Sequence, residues 1–486
     1  MKKKINERKK IDDFLELNSK KQVVVVQGLG FVGAVMSLVC ANALTAEYAV
    51  IGVDLPNEQS LDKINKINSG IFPLETSDLK IQKFYKNSIN KKNFYATYDE
   101  YAYSKADVII IDINLDVQKK STNLGDLKSY DVTLASFKKA IKSIALNCKE
   151  EVLILVETTV PPGTCKKVVY PLIKDVFDSR NLDINKVYIG HSYERVMPGP
   201  NYIDSIQNFY RVYSGINEMS SKKTESFLKT IIKTDEYPLT KLNSTNSTEM
   251  AKVLENSFRA MNIAFIVEWT RFAEEAGVNF YEIIDAIRMR PTHKNIMYPG
   301  IGVGGYCLTK DPLLASWSRK NLFDGDGTLK QSEMSVRIND KMPSYAISFL
   351  EANLLAQNIE LKNVALLGVS YRSDVGDTRY SPVQNFYIQL QNFVENIYLT
   401  DPYVKYWDEM QKEIDLDFKQ ILSKSLDSVI ITTSHSEYKC SKILLDLLMK
   451  KNKLFIYDTV GLLNNEEIKI LKSKHLVRVL GRGDIN

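Results

Sequence analysis

KQVVVVQGLGFVGAVMSLVCANA, residues 21–43, is the stretch on which the fold turns. Val23 to Val26 are four consecutive β-branched apolar residues without polar alternation, the pattern of a strand buried on both faces in a parallel sheet. Gly28, Gly30 and Gly33 follow at GxGxxG spacing, and the apolar run after them reads as a helix. A second apolar segment, AVIGVD, ends at Asp54, twenty-one residues beyond Gly33. Strand, glycine turn, helix, strand and acid in that order predict a dinucleotide-binding unit. Gly28 permits the turn, Gly30 lets the backbone approach a pyrophosphate, and Gly33 lets the helix pack closely on the strand. Leu29, Phe31 and Val32 complete the turn, which directs a helix N-terminus at the phosphate charge. The Asp54 carboxylate suits the ribose hydroxyls and would repel a 2′-phosphate, so NAD rather than NADP is the expected cofactor.

Outward from this unit, strands are predicted within DVIIID (107–112), EVLILVET (151–158), KVYIG (186–190) and FYRVYSG (209–215), with helical sequence between them. The longest helical pattern, STEMAKVLENSFRAMNIAFIVEWTRFAEEAGVNFYEIIDAI, covers 247–287. Ser247 or Thr248 is the expected cap at its start, and Gly277 marks its end. Its Phe, Met, Ile and Trp content predicts burial on more than one side. Beyond residue 335, KNVALLGVSYRSDVGDTRYSP, NIYLTDP, DSVIITT and KLFIYDTVG place four more strands among helical segments, without a second GxGxxG. The fold expected is α/β: two Rossmann-like doubly wound domains joined by a central helical domain with a long spine helix. The boundaries are a basic extension at 1–20, an NAD-binding domain at 21–215, a central domain at 216–334 and a C-terminal Rossmann-like domain at 335–486.

Composition narrows the function. A chain of 486 residues, 44% hydrophobic and 25% charged, reads as a multidomain soluble protein. No apolar run is long enough to span a bilayer, and MKKKINERKKIDDF lacks the apolar core of a secretory signal. Its lysines are expected to face solvent on a lead-in helix. The net charge of +5 is small, and no arginine stripe or zinc-finger spacing suggests nucleic acid. Five scattered cysteines (40, 148, 165, 307 and 440) make neither a disulfide framework nor a CxxC pair, which favours a reducing cytoplasm. His191, His293, His435 and His475 show no metal-ligand spacing, so no metal is expected.

The remaining question is YPGIGVGGYCLTKDP, residues 298–312, where Cys307 follows four glycines and precedes Asp311. By itself Cys307 is open to two readings, an inert filler or a nucleophile exposed by the loop. In a dehydrogenase a thiolate can add to an aldehyde, and the resulting thiohemiacetal can lose a hydride to become a hydrolysable thioester. Lys252 and Asn256 lie four residues apart on one face of the predicted helix, either as site donors or as an ordinary polar stripe.

GLGFVG with GVDL and INSGIFPLE, then ETTVPPGT, SYERVMPG, EMAKVLENSFRAMNIAFIVE, PGIGVGGYCLTKDP and GVSYRSDVGDTRYSP occur in one order across nearly the whole chain. With these motifs the sequence resembles the UDP-glucose/GDP-mannose dehydrogenase superfamily, especially its bacterial UDP-N-acetylhexosamine dehydrogenase branch. The resemblance implies that Cys307 is the catalytic nucleophile and that Asp311 arranges hydrolytic water. It implies that Lys252 and Asn256 stabilise developing oxyanion charge. Glu194 matches an acid implicated in base chemistry or thioester hydrolysis, and Thr159 a threonine near the reacting carbon. Gly304 and Gly305 would line the sugar end of the substrate. Arg195 and Arg259 are candidate anion or sugar contacts, with structural salt bridges as the competing role. Tyr371, Arg372 and Arg379 occupy the motif that would recognise the nucleotide end.

The implied reaction is oxidation of the C6 alcohol of a UDP-N-acetylhexosamine to the uronate with two NAD. UDP-glucose is the alternative substrate. A two-electron hydroxyacid or alcohol dehydrogenase and a non-catalytic nucleotide-sugar-binding protein are the competing functions. The resemblance further implies a cytoplasmic homodimer, without membrane insertion, that supplies polysaccharide biosynthesis. Three departures stand out. IDINLD (111–116) replaces a VPTP-like stretch, Tyr306 replaces a histidine, and DTVG (458–461) replaces an arginine–asparagine pattern. Arg372 stands where lysine is commoner.

Overall fold

The computed structural model describes residues 2–74, 76, 78–122, 125–196, 199, 201–439 and 442–485, with side chains from residue 6 onward. Of the residues in the motifs above, Glu75, Met197, Pro198 and Cys440 lie outside this set. The chain divides into two compact units. Residues 1–117, 132–253 and 317–327 form the first, and residues 118–131, 254–316 and 328–486 form the second.

The strands are β1 (Gln22–Gln27), β2 (Tyr48–Val53), β3 (Phe94–Thr97), β4 (Val108–Ile111), the pair β5 (Val117–Ser121) and β6 (Leu127–Val132), then β7 (Leu153–Val156), β8 (Tyr188–His191), β9 (Val212–Gly215) and β10 (Thr240–Lys241). In the first unit eight of them form a sheet of order β10-β9-β8-β7-β4-β1-β2-β3, while β5 and β6, which fall almost wholly in the second unit, make a separate two-stranded sheet. Every neighbouring pair in the large sheet for which register is defined is parallel except β8 with β9. The chain builds β2 and β3 on one side of β1 and then crosses to β4 on the other. The crevice at the carboxyl ends of β1 and β4 is therefore the topological switch point, where such sheets bind ligands. Val24, Val25 and Val26 are fully buried, as an apolar run between two parallel neighbours requires.

The basic N-terminus is helical over Lys2–Leu17. It buries Ile11 and Phe14, while the buried Glu7 accepts hydrogen bonds from Tyr95 at 2.8 Å and Thr97 at 3.2 Å. Lys9 and Lys10 are exposed. The spine helix runs Thr245–Glu275, one turn earlier than the expected cap. The Ser244 hydroxyl receives the Ser247 N–H at 3.2 Å, whereas Thr248 is buried and turns its hydroxyl back to the Thr245 carbonyl at 3.1 Å. Neither Ser247 nor Thr248 caps the helix, because a preceding serine had already supplied the acceptor.

The second unit holds β11 (Asn363–Leu367), β12 (Asn396–Thr400), the short antiparallel pair β13 (Tyr406–Trp407) and β14 (Lys412–Glu413), then β15 (Ser428–Ile431), β16 (Phe455–Asp458) and β17 (Leu476–Val479). Its main sheet is wholly parallel, of order β12-β11-β15-β16-β17. The switch point lies between β11 and β15, and the loop carrying Tyr371 and Arg372 leaves β11 there. β3, β10, β17 and the β5–β6 and β13–β14 pairs were not anticipated. LVRV is too short and charged to stand out, and the β5–β6 strands are mostly polar.

Candidate active site

In the first unit the glycine turn meets the geometric demands of its motif. Gly28 has φ +96°, and a Cβ built there would lie 2.4 Å from the Asp112 carbonyl oxygen. A Cβ on Gly33 would lie 1.9 Å from the Gly28 carbonyl oxygen, so the helix Phe31–Ala41 reaches the strand only through glycine. A Cβ on Gly30 meets nothing within 4 Å, which leaves the open backbone surface that a pyrophosphate needs. Leu29 is buried, while Phe31 and Val32 are half-buried at the helix start. Asp54 closes the turn: its carboxylate accepts from Leu29 N–H at 3.1 Å and from Leu55 N–H at 2.7 Å. These residues fit NAD, with the helix N-terminus for phosphate and Asp54 beside it for the ribose.

Beside this turn lies a buried charge cluster that sequence reading missed. Register pairs Ile111 of β4 with Val156 of β7, so Asp112 and Glu157 follow as lateral neighbours at the carboxyl edge. Glu157 and Arg211 form an ion pair with both side chains essentially inaccessible. Burial, with Glu157 and Glu194 as negative neighbours, pushes the Asp112 carboxyl well above the usual range, and Arg211 only partly opposes this. The departure IDINLD thus places a carboxyl against the glycine turn. Asp112 Oδ2 is buried and has no hydrogen-bond partner among the described residues.

Glu194 is itself buried, and its carboxylate accepts from the Val196 N–H. Lys252 donates through Nζ to the Glu194 carbonyl at 2.9 Å, and its ammonium sits 5.2 Å from the Tyr193 ring centre. Arg195 stacks over Tyr193 and Phe209 at 5.0 and 5.6 Å and donates to the Tyr193 hydroxyl at 3.1 Å. Thr159 is half-buried in the loop after β7. That loop is pinned by Glu249, fully buried on the spine helix, which receives N–H bonds from Gly163 at 2.5 Å and Cys165 at 2.7 Å. Burial raises the Glu249 pKa to about 7 against those bonds. Its one sequence signal was its place three residues before Lys252 in EMAK. His191 is buried, holds Thr248 at 2.8 Å, and has its pKa pushed to about 3 by burial and then by Arg211 and Lys252.

In the second unit Cys307 is exposed, whereas Cys40, Cys148 and Cys165 are buried, and none of the four is in a disulfide. The Cys307 carbonyl accepts from Asp311 N–H at 2.9 Å and Lys310 N–H at 3.1 Å, winding the chain into the helix Asp311–Asn321. The Asp311 side chain is inaccessible and takes Asn256 Nδ2 at 2.6 Å and Lys310 Nζ at 2.9 Å. Gly304 and Gly305 are packed against Tyr371: Cβ atoms there would come within 2.6 and 2.8 Å of its side chain. The Arg379 carbonyl accepts from Gly305 N–H at 3.0 Å, and its guanidinium clamps the buried Asp377 through Nε and Nη2. Arg372 and Arg259 are exposed. The start of the Tyr371 loop is held by Asp401, which accepts from Val369 and Ser370 N–H at 2.8 and 3.0 Å. Burial works to raise the Asp401 pKa, but the His435 contact and these bonds outweigh it and hold the carboxyl below its ordinary range.

Among the described residues no cluster of His, Cys, Asp or Glu could hold a metal, and no helix is long and apolar enough to cross a membrane. The dinucleotide turn of the first unit fits an NAD-dependent enzyme, and the second unit adds a parallel sheet with a basic loop at its switch point. The chain belongs to the UDP-glucose/GDP-mannose dehydrogenase family: models of its NAD binding domain, central domain and UDP binding domain match residues 22–234, 246–340 and 365–465. It is 30% identical over 419 residues to the UDP-N-acetyl-D-mannosamine dehydrogenase of Pyrococcus horikoshii, covering 86% of this chain and 90% of that one. It is 30% identical over 468 residues to the enzyme of that name from Methanococcus vannielii, covering 96% and 98%. The solved structure of the Pyrococcus horikoshii UDP-D-ManNAc dehydrogenase matches with a TM-score of 0.78 at 28% identity, over 95% of this chain and 100% of that chain. A UDP-glucose dehydrogenase from Pyrobaculum islandicum, 19% identical, shares the fold with a TM-score of 0.73 over 92% and 96% of the chains. The protein is thus an NAD-dependent UDP-sugar dehydrogenase.

Proposed function

We propose that this enzyme oxidises the C6 primary alcohol of a UDP-N-acetylhexosamine to the uronate through covalent intermediates on Cys307. The observation that carries the reading is the exposed Cys307 joined by its backbone to Asp311, whose buried carboxylate is paired with Asn256. Hydride acceptance is the chemistry NAD supplies when bound at the glycine turn. C6 first loses a hydride and the hydroxyl proton, leaving an aldehyde. The Cys307 thiolate adds to that carbon, and the resulting oxyanion is stabilised by Lys252 and Asn256 before it takes a proton. Loss of a second hydride and of the hydroxyl proton leaves a thioester. Water oriented by Asp311 cleaves it, with Glu194 and Thr159 serving the proton transfer, and returns the thiol and a carboxylate.

Arg372 and Arg379 are assigned to the pyrophosphate end, and Arg195 and Arg259 to orienting anionic or sugar groups. The N-acetylhexosamine is favoured over glucose by the naming of the relatives at 30% identity as UDP-N-acetyl-D-mannosamine dehydrogenases. Leu254, Phe258, Phe265, Trp269 and Phe272 project from one helix and are each 44–67% exposed, a patch that fits homodimerisation. A cytoplasmic role in polysaccharide precursor supply completes the reading. The test is product stoichiometry across UDP-hexoses and UDP-N-acetylhexosamines: two NAD reduced per uronate, with acid formation abolished in Cys307→Ala. Undiminished acid formation by that variant overturns the covalent route, and a single NAD reduced with a carbonyl product overturns the four-electron reaction.

A further inference from the structure

We infer that Asn339 is the positioning residue that sets how the glycine loop presents Cys307. This rests on Cys307 being the nucleophile. The loop from Pro299 to Gly305 contains four glycines, two of them, Gly302 and Gly305, at φ +107° and +80°. Glycine loses more conformational freedom on ordering than any other residue, so such a segment does not hold one geometry unaided. It lies outside every helix and strand, and its backbone polar groups must find partners elsewhere.

One side chain answers two of those groups. Val303 N–H donates to Asn339 Oδ1 at 2.7 Å, and Asn339 Nδ2 donates to the Val303 carbonyl at 2.9 Å. The amide therefore reads Val303 as a neighbouring strand would, from a nearly buried position within the helix Lys330–Gln357. The contact is close-packed as well as polar: a Cβ on Gly302 would lie 3.1 Å from the Asn339 carbonyl oxygen and 3.2 Å from Oδ1. Beyond Val303 the loop is fixed twice more, by Gly305 N–H on the Arg379 carbonyl at 3.0 Å and by Thr309 Oγ1 on the Gly305 carbonyl at 2.9 Å. Cys307 follows two residues later. The next residue on the helix, Asp340, takes Lys119 Nζ at 2.7 Å, so Asn339 stands on a turn that is itself anchored. Of the three anchors, Asn339 alone is a side chain from outside the two sequence motifs that meet at the loop.

Both halves of the amide are used, which makes a graded test possible. Asn339→Asp keeps an acceptor and loses the donor, Asn339→Leu loses both, and Asn339→Gln keeps both on a longer stem. Two quantities are read on the full-length variants: steady-state kcat and KM for UDP-N-acetylmannosamine with NAD, and the pH profile of iodoacetamide alkylation at the Cys307 peptide. Misplacing a reacting group by about 1 Å costs up to roughly 100-fold in rate. The expected result is a kcat lowered about 10- to 100-fold in Asn339→Asp and Asn339→Leu. The KM for NAD should stay within about two-fold of the parent, the alkylation profile should be altered, and Asn339→Gln should recover part of the loss. A parent-like thermal midpoint by circular dichroism certifies that a variant is folded, and Asn339→Asp serves if Asn339→Leu does not fold. Alkylation and kcat that both stay within two-fold of the parent in a folded variant overturn the inference. If Cys307→Ala still makes acid, the nucleophile reading fails on its own, while the alkylation comparison still decides whether Asn339 governs the loop.

Discussion

Asn256 Nδ2 donates to Asp311 Oδ2 at 2.6 Å, joining the spine helix to the first residue of the helix that follows Cys307. The Asp311 side chain is buried, with Asn256 and Lys310 as side-chain partners of its carboxylate. Asn256→Ala removes one of them and should lower stability by about 1–3 kcal/mol, read as a reduced thermal midpoint. Asn256→Asp should cost more, because it sets a second carboxylate against the first.

The glycine turn separates folding from cofactor binding. Gly30 has ordinary φ and open space around it, so Gly30→Ala should fold normally yet raise the NAD dissociation constant by about ten-fold or more, which titration calorimetry would record. Gly28→Ala and Gly33→Ala each drive a Cβ into backbone. They should lower the thermal midpoint sharply, by mechanisms each worth over about 2 kcal/mol.

Thiol chemistry should be selective. Cys307 is exposed, while burial pushes Cys148 to about 11 and raises Cys40 and Cys165 well above the ordinary thiol range. Iodoacetamide at pH 7.5, an illustrative condition about one unit below an ordinary thiol pKa, should label Cys307 ahead of Cys40, Cys148 and Cys165. The three buried cysteines should react only on unfolding, and peptide mass spectrometry would reveal any other order.

Two buried groups give opposite pH slopes. His191 titrates near 3 folded against 6.5 unfolded, so the unfolded chain binds the extra proton between those values and stability falls as pH drops through that window. Glu249 titrates near 7 against 4.5, so its contribution is full below about 4.5 and is lost as pH rises towards 7. Glu249→Gln sacrifices one of two backbone bonds, and its deficit relative to the parent should shrink from pH 5 to pH 8 in urea unfolding, two conditions that bracket roughly that window. Widening of that deficit would contradict the assignment.

Arg372 and Arg379 should differ when replaced. Arg372 is exposed, so Arg372→Ala should raise the KM for the UDP-sugar by about ten-fold with stability unchanged. Arg379→Ala also strips the buried Asp377 of its paired cation and should lower the thermal midpoint as well.

Much of this was legible in the chain. The valine run, the three glycines and Asp54 are local and periodic, and they became β1, the turn and β2 as read. The cysteine loop and the four-residue step from Lys252 to Asn256 were also visible, because spacing along a helix encodes them. The helix start was misplaced by one turn because Ser244, Ser247 and Thr248 are all competent caps and only packing chooses among them.

What the sequence by itself determined was the apolar central strands, the cofactor turn and the residues able to carry the chemistry, since each depends on contacts a few residues apart. What only the tertiary structure decided was how those residues are held. Glu249 under Gly163 and Cys165 and Asn339 on Val303 are single polar side chains bonded across 36 to 86 residues, and Asp112 lies beside Glu157 only because β4 pairs with β7. Such pairs carry no periodicity. Their existence follows from burial, because a polar group taken from water must find a partner, and the partner's identity depends on which backbone arrives beside it.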